Sequence, residues 1–132
     1  MAENKNVLVV EDDPFLSQLL VGRLEKAGVG VTQAHDGEEA VEVLKSFKPN
    51  LILLDLILPK KSGFEVMEEI KRDPLINNAP IIIISNLSQE SDVSRGLELG
   101  AIEYYVKART SIDDLVKKIS DLLSSTQDPA GK

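Results

Sequence analysis

The sequence contains no cysteine and a single histidine, His35, so it offers neither a disulfide framework nor a thiolate- or imidazole-rich metal site. Any metal held by this chain must be bound by oxygen. A basic excess is also missing. Fifteen Lys and Arg stand against 22 Asp and Glu, a net charge of −7, which argues against sequence-independent attraction to nucleic acid or to an anionic membrane surface. Long hydrophobic runs are absent too: the longest, Leu51 to Leu54 and Ile81 to Ile84, are far too short to span a bilayer, and residues 1–6 carry no apolar signal segment. The expectation is a cytoplasmic protein that neither binds nucleic acid directly nor enters a membrane. At 132 residues there is room for one domain, expected over residues 1–124, with a short polar tail at 125–132.

What the sequence does contain is a regular alternation of short apolar runs and amphipathic stretches. Val7-Leu8-Val9-Val10 predicts a strand that stops at Glu11-Asp12-Asp13. Asp13 then fits an N-cap and Pro14 the first helical position, and Leu16, Leu19, Leu20, Leu24 and Ala27 recur at helical spacing up to Gly28. Residues 29–34 read as a second strand. Asp36 and Glu39 have capping-box spacing for a helix carrying Ala40, Val41, Val43, Leu44 and Phe47, and Pro49 limits it. A third strand is predicted from Leu51 to Asp55, followed by a turn and a helix capped by Ser62 and Glu65, which Asp73-Pro74 stops. Ile81 to Ile84 form a fourth strand that ends at Ser85. The pattern over residues 88–99 is helical but poor, with Gly96 inside, and residues 101–106 give a fifth strand ending at Lys107. Thr110 and Asp113 are the predicted cap of a last helix whose Ile112, Leu115, Val116, Ile119, Leu122 and Leu123 form one stripe.

Five strands alternating with five helices define an α/β class with a parallel sheet and right-handed crossovers, and the unbroken hydrophobicity of the third strand requires helices on both faces. In such a sheet the C-terminal strand ends share one edge, where ligands bind. That edge would carry Glu11 and Asp12, Asp55, Ser85 and Lys107. Three neighbouring carboxylates repel unless a cation neutralises them, and an all-oxygen set favours a hard divalent ion, most simply magnesium (Mg2+). A metal beside an amine and a hydroxyl is also the equipment of phosphoryl transfer, which needs charge neutralisation and an in-line nucleophile. Asp55 can be that nucleophile, forming an acyl phosphate, with Lys107 neutralising phosphoryl oxygens and Ser85 donating a hydrogen bond to one of them. Taken singly, Asp55 is as well explained by solvation as by chemistry, and Ser85 and Lys107 are better explained as a backbone-satisfied hydroxyl and a solvated charge. Their shared edge favours chemistry. Asp13 reads as a helix cap, His35 as a loop residue, and Lys60-Lys61 as a solvated turn.

The ordered set Val-Leu-Val-Val-Glu-Asp-Asp-Pro at 7–14, Leu-Leu-Asp-Leu at 53–56 with Pro59 and Gly63 beyond it, Ile-Ile-Ser at 83–85 and Tyr-Tyr-Val-Lys at 104–107 resembles the response-regulator receiver domain of two-component signalling, single-domain and chemotaxis-regulator-like, from Val7 to Leu123. The resemblance implies a doubly wound, flavodoxin-like (βα)5 sheet in strand order 2-1-3-4-5. It further implies that Asp55 accepts a phosphoryl group from the phosphohistidine of a sensor histidine kinase or phosphotransfer protein. Asp12 would bind magnesium directly, Glu11 through water, and Asp55 and the backbone carbonyl of Ile57 would complete the set. On phosphorylation the Ser85 hydroxyl is drawn inward and Tyr104 follows, so that the surface of the fourth helix, fifth strand and fifth helix changes partner. Adjacent strand residues face opposite ways, so only one of Tyr104 and Tyr105 can serve. With no DNA-binding segment after Leu123, output through a downstream protein target is expected, with a phosphorylation-dependent dimer as a further partner state.

Two departures from the family pattern stand out. Proline in a cis peptide usually follows the lysine, whereas this chain has Ala108; a cis bond there costs about 3 to 4 kcal/mol. Either a trans bond with a rearranged loop or a strained cis bond is expected. Ile57, Asn86 and Leu87 are bulky or apolar at the rim of the site, which would hinder water and slow phosphate loss. Two other functional classes compete with the phosphoacceptor reading. A dehalogenase-like magnesium phosphohydrolase pairs its nucleophile with an aspartate two residues on, and here that position is Ile57. A receiver-like module that binds partners without phosphorylation has no need of the acidic set.

Overall fold

The computed structural model describes residues 5–76 and 79–127, with side chains to Ser124. The tail expected over 125–132 therefore lies outside the described residues, apart from the backbone of the last helical turn. The elements are β1 (Asn6–Val10), α1 (Pro14–Lys26), β2 (Gly30–Ala34), α2 (Gly37–Ser46), β3 (Leu51–Leu54), α3 (Gly63–Arg72), β4 (Ile81–Ser85), α4 (Glu90–Glu98), β5 (Glu103–Val106), a 3-10 turn (Lys107–Arg109) and α5 (Ile112–Gln127). All strand pairings are parallel, in order β2-β1-β3-β4-β5. The class and the strand order are those expected.

Alternation along each strand divides the core in two. Leu8, Val10, Ile52, Leu54 and Ile83 face Ala40, Val41 and Leu44 of α2 and Phe64, Met67 and Ile70 of α3. Val7, Val9, Leu51, Leu53, Ile82 and Ile84 face Leu20 and Leu24 of α1 and Leu115, Val116, Ile119 and Leu123 of α5. Every residue of β3 and β4 is buried, which is why those strands read as unbroken apolar runs. Tyr104 packs on the first cluster and Tyr105 on the second, so the two rings do point to opposite faces.

Helix starts follow local chemistry, with three corrections. Asp13 caps α1 by accepting the Phe15 N–H, with Pro14 at the first position, and Ser62 and Glu65 form a reciprocal capping box on α3. On α2 only half of the expected box exists. Asp36 accepts the Glu39 N–H at 2.8 Å, but Glu39 Oε1 accepts the His35 N–H, also at 2.8 Å. On α5 the cap is Ser111, whose hydroxyl accepts the Asp114 N–H at 3.0 Å; Thr110 instead donates its hydroxyl to Val106 O at 2.8 Å, tying down the 3-10 turn. The helix predicted from residue 88 begins at Glu90 with Gln89 ahead of it and no side-chain cap, and Gly96 is its only buried residue.

Candidate metal and phosphoacceptor site

Parallel pairing brings the strand ends together as predicted. Asp55 follows directly on β3, and its N–H donates to Val10 O at 3.1 Å, which holds it beside the end of β1. The Glu11 N–H donates to Ala34 O at 3.1 Å, so Glu11 prolongs the β1 edge with its side chain turned inward. Both carboxylates are almost inaccessible, Glu11 at 1% and Asp55 at 3% relative exposure, whereas Asp12 is exposed. One oxygen from each of these three residues lies within 4.8 Å of the others.

Lys107 reaches this cluster from the opposite side of the sheet edge. Its Nζ donates to Asp55 Oδ2 at 2.8 Å and to Glu11 Oε2 at 3.2 Å. Glu11 Oε1 stands 3.0 Å from the same Nζ as an ion pair but takes part in no hydrogen bond of good geometry, although it is buried. Burial pushes the Glu11 pKa above its usual 4.5 and the Asp55 charge adds to this, against the Asp13 backbone N–H and Lys107. Burial opposes the charge on Lys107, but its hydrogen bonds to Asp55 and Glu11 and their charges prevail and raise its pKa. The lysine is therefore a firmly held cation.

The remaining expected residues ring this centre. The Ile57 N–H donates to Asp55 Oδ1 at 3.2 Å, while its side chain is 54% exposed at the rim. Ser85, fully buried at the end of β4, accepts the Leu87 N–H at 3.3 Å, which leaves its own proton free to donate. Tyr104 donates its hydroxyl to Leu87 O at 2.6 Å, and burial, then the charges of Asp92 and Asp55, raise its pKa and keep it a donor. Among the described residues no peptide bond is cis, so the chain after Lys107 takes the trans alternative and a 3-10 turn, with Lys107 still in reach of Asp55. His35 is exposed beside Glu39, apart from the centre, and Lys61 is no solvated turn residue but pairs with Glu69 at 2.5 Å. Lys107 pairing with Glu11 as well as Asp55 was not foreseen; the acidic pair 11–12 was the only available signal for it. Cavities of about 140, 220 and 230 Å³ are lined by other residues, among them Lys5 and Gly28, Met67 and Leu99, and Glu38 and Glu69.

The donor set fits a divalent cation: three clustered carboxylates, all oxygen, with one buried Glu11 oxygen that takes part in no hydrogen bond. A doubly wound parallel sheet carrying such a set at its C-terminal edge defines the flavodoxin-like class of α/β domains. Within that class the chain belongs to the response regulator receiver domain family, whose sequence model it matches over residues 7–120. It is 38% identical over 125 residues to the probable transcriptional regulator ycf27 of Cyanophora paradoxa, covering 95% of this chain and 51% of that protein. It is 41% identical over 104 residues to the alkaline phosphatase synthesis transcriptional regulatory protein PhoP of Bacillus subtilis, covering 79% and 42%. The chain thus spans about half the length of the curated relatives it matches. Among solved structures, the phosphorylated cyanobacterial phytochrome response regulator RcpA superposes with a TM-score of 0.82 at 32% identity, over 94% of this chain and 96% of that one. A CheY-like receiver domain protein from Methanospirillum hungatei superposes with a TM-score of 0.85 at 26% identity, over 97% and 100%.

Proposed function

We propose that Asp55 is the phosphoryl acceptor of a two-component relay. The observation that carries the reading is the buried Asp55 carboxylate, whose Oδ2 is held by Lys107 and Oδ1 by the Ile57 N–H beside Glu11 and Asp12. An Asp55 oxygen attacks the phosphorus of a phosphohistidine on a sensor histidine kinase or phosphotransfer protein; the P–N bond breaks, the histidine leaves, and an acyl phosphate remains on Asp55. Lys107 turns from the free carboxylate to the phosphoryl oxygens, and the Ser85 proton is available to another of them. Glu11, Asp12, Asp55 and the Ile57 carbonyl would hold magnesium, which when bound supplies positive charge to the carboxylates and the phosphoryl oxygens. The domain takes part in its own phosphorylation and dephosphorylation and turns over no free substrate.

The output reading follows from the contacts of Ser85. Its hydroxyl accepts from Leu87 N–H, and Leu87 O accepts from Tyr104, whose ring lies against α4. Movement of Ser85 toward a phosphoryl group would pull on this chain of contacts and shift the α4-β5-α5 surface, the site for a downstream protein or for a second copy of the domain. No helix among the described residues is long and apolar enough to cross a membrane, and a cytoplasmic location suits a kinase-fed relay.

The test is incubation with a small acyl phosphate, with magnesium or with a chelator, read by intact mass. Native protein should gain one phosphoryl group only with magnesium, and Asp55→Ala none. No mass gain in native protein would overturn the reading.

A further inference from the structure

The segment Leu56 to Ser62, which joins β3 to α3 and carries Ile57, is held from behind by the start of α2. Gly37, the first residue of α2, donates its N–H to Pro59 O at 3.3 Å, so an orphan amide of that helix is satisfied by the loop. A Cβ on Gly37 would lie 1.9 Å from the Lys61 carbonyl oxygen and 2.6 Å from the Lys61 carbonyl carbon. One ion pair fastens the same contact, Lys60 Nζ to Asp36 Oδ2 at 3.7 Å, and a second ties the loop to α3, Lys61 Nζ to Glu69 Oε1 at 2.5 Å. Between them Lys60 holds a φ of 69°, a conformation that only its surroundings can maintain in a lysine. At the near end of the loop the Ile57 N–H holds Asp55 Oδ1 at 3.2 Å, and at the far end the Gly63 N–H donates to Leu56 O at 2.9 Å. The loop is pinned on every side, with α2 as its rear wall.

We infer that Gly37 is a positioning residue for the phosphoacceptor: by letting α2 press directly on the Lys61 backbone, it sets where the Ile57 N–H and carbonyl stand relative to Asp55. This rests on the reading of Asp55 as the acceptor. Nothing within α2 itself asks for glycine, since Gly37 does not lie in the left-handed region and alanine is the better helix former. The three nearest atoms that a side chain would meet all belong to Lys61 of the loop. With alanine present the Lys61 carbonyl must retreat by about 1.5 Å, from 1.9 Å to an ordinary contact of 3.4 Å, and backbone cannot absorb that as a flexible side chain could. A displacement of about 1 Å in a reacting constellation costs on the order of a hundredfold in rate.

The experiment compares native protein, Gly37→Ala, Asp36→Asn and, as a destabilised control in the same helix, Leu44→Val. Two quantities are read: the rate of phosphorylation by a small acyl phosphate with magnesium, and the Ile57 and Lys61 amide resonances in metal-free protein. Gly37→Ala should slow phosphorylation on the order of a hundredfold and move both resonances. Leu44→Val should keep the native rate and resonances. A native rate in Gly37→Ala, or equal slowing in Leu44→Val, overturns the inference. Should Gly37→Ala fail to fold, Asp36→Asn, which keeps the cap oxygen of α2 but removes its charge pair with Lys60, decides in its place: slower phosphorylation with a moved Ile57 amide supports the inference, and native values overturn it. If native protein takes no phosphoryl group, it is the acceptor reading that fails, and the metal-free resonances alone then decide, moved in support and unmoved in refutation.

Discussion

Replacing Lys107 by methionine keeps the apolar stem and removes the ammonium that stands 2.8 Å from Asp55 Oδ2 and 3.0 Å from Glu11 Oε1. Two buried carboxylates are then left facing each other, with ligand oxygens no more than 4.8 Å apart. At that distance and an effective dielectric constant of about 20, their repulsion is roughly 3.5 kcal/mol. A proton on Glu11 relieves it. From the ordinary value of 4.5, protonation at pH 7 costs about 3.4 kcal/mol at about 1.36 kcal/mol per pH unit. The two routes are nearly equal, so the variant should lose up to about 3 kcal/mol at neutral pH by either one. They differ in pH dependence. An acid whose folded pKa is raised contributes stability that is complete below its unfolded value and is lost as pH rises through the folded pKa. Glu11 is raised already in the native protein, and removing Lys107 raises it further, so the variant loses more stability over a wider window above 4.5. In urea unfolding the gap between native and variant should be smaller near pH 5 than near pH 7. Excess magnesium should stabilise the variant more than the native protein, by taking the place of the ammonium. A gap of equal size near pH 5 and pH 7 would refute the reasoning, since it would make Lys107 a packing residue.

Ile57→Asn replaces the exposed apolar rim by a group that can hold water, so the acyl phosphate should decay faster than in native protein; equal lifetimes would reject the shielding role. A Cβ at Gly96 would lie 2.6 Å from Ile83 Cδ1 and 3.2 Å from Tyr104 Cδ2. Overpacking of about 1 to 3 kcal/mol outweighs the roughly 1 kcal/mol gain in helix propensity, so Gly96→Ala should lower unfolding free energy by about 1 kcal/mol, and a rise would count against close packing of α4. Ser62→Ala removes the capping-box bond that the Glu65 N–H donates to the Ser62 hydroxyl, while the backbone N–H of residue 62 can still donate to Glu65; it should cost about 1 kcal/mol by denaturant titration, a cost within error of zero being the contrary result. The Asp36 pKa is lowered, chiefly by the Glu39 N–H it accepts. Its stabilisation is therefore present above the unfolded 3.8 and lost as pH falls through the folded value. Asp36→Asn, which retains the cap oxygen, should flatten the acid limb of the stability profile there, and an unchanged limb would contradict the assignment.

The parts of the molecule legible from sequence are those set by local pattern. Ile81 to Ile84 could only be a strand covered on both faces, and Asp13-Pro14 and Ser62 with Glu65 marked helix starts by the hydrogen bonds their side chains can reach. Strand order was not legible from pattern and came with the family resemblance. The caps that failed had two candidates within one residue: Ser111 displaced Thr110 because the Thr110 hydroxyl was taken by Val106 O, and Glu39 turned to the His35 N–H next to the one expected. Gly96 looked like a flaw in a helix. It is a close approach to Ile83 and Tyr104, residues 13 and 8 positions away, and no local pattern can report that. The candidate site was legible because parallel topology collects strand ends. The partners of Lys107 and the contact of Gly37 with Lys61 were not, because they depend on how far side chains reach across an edge.

The same logic bears on which element would respond to a phosphoryl group on Asp55. The core faces of α1, α2, α3 and α5 each bury several apolar side chains, whereas α4 buries only Gly96 and has no side-chain cap. Among its described side-chain ties are the Arg95–Glu68 ion pair at 3.0 Å, on exposed side chains and worth about 0 to 1 kcal/mol, and Arg95 over the Phe64 ring at 4.3 Å, worth about 0.5 to 1 kcal/mol. The Tyr104 bond to Leu87 O adds about 1 kcal/mol to the neighbouring strand. Against these, a charge-assisted hydrogen bond from Ser85 to a phosphoryl oxygen is worth roughly 1.5 to 3 kcal/mol, and Lys107 would be drawn away from Glu11 at the same time. The perturbation is as large as the ties that hold α4 and small beside those that hold the other helices. Since Leu87 accepts from Tyr104 and donates to Ser85, the displaced end of that balance lies at the start of α4. Amide hydrogen exchange in α4 should therefore change on phosphorylation while α1 stays as it was; a change spread evenly over both helices would mean that the sheet, not α4, carries the signal.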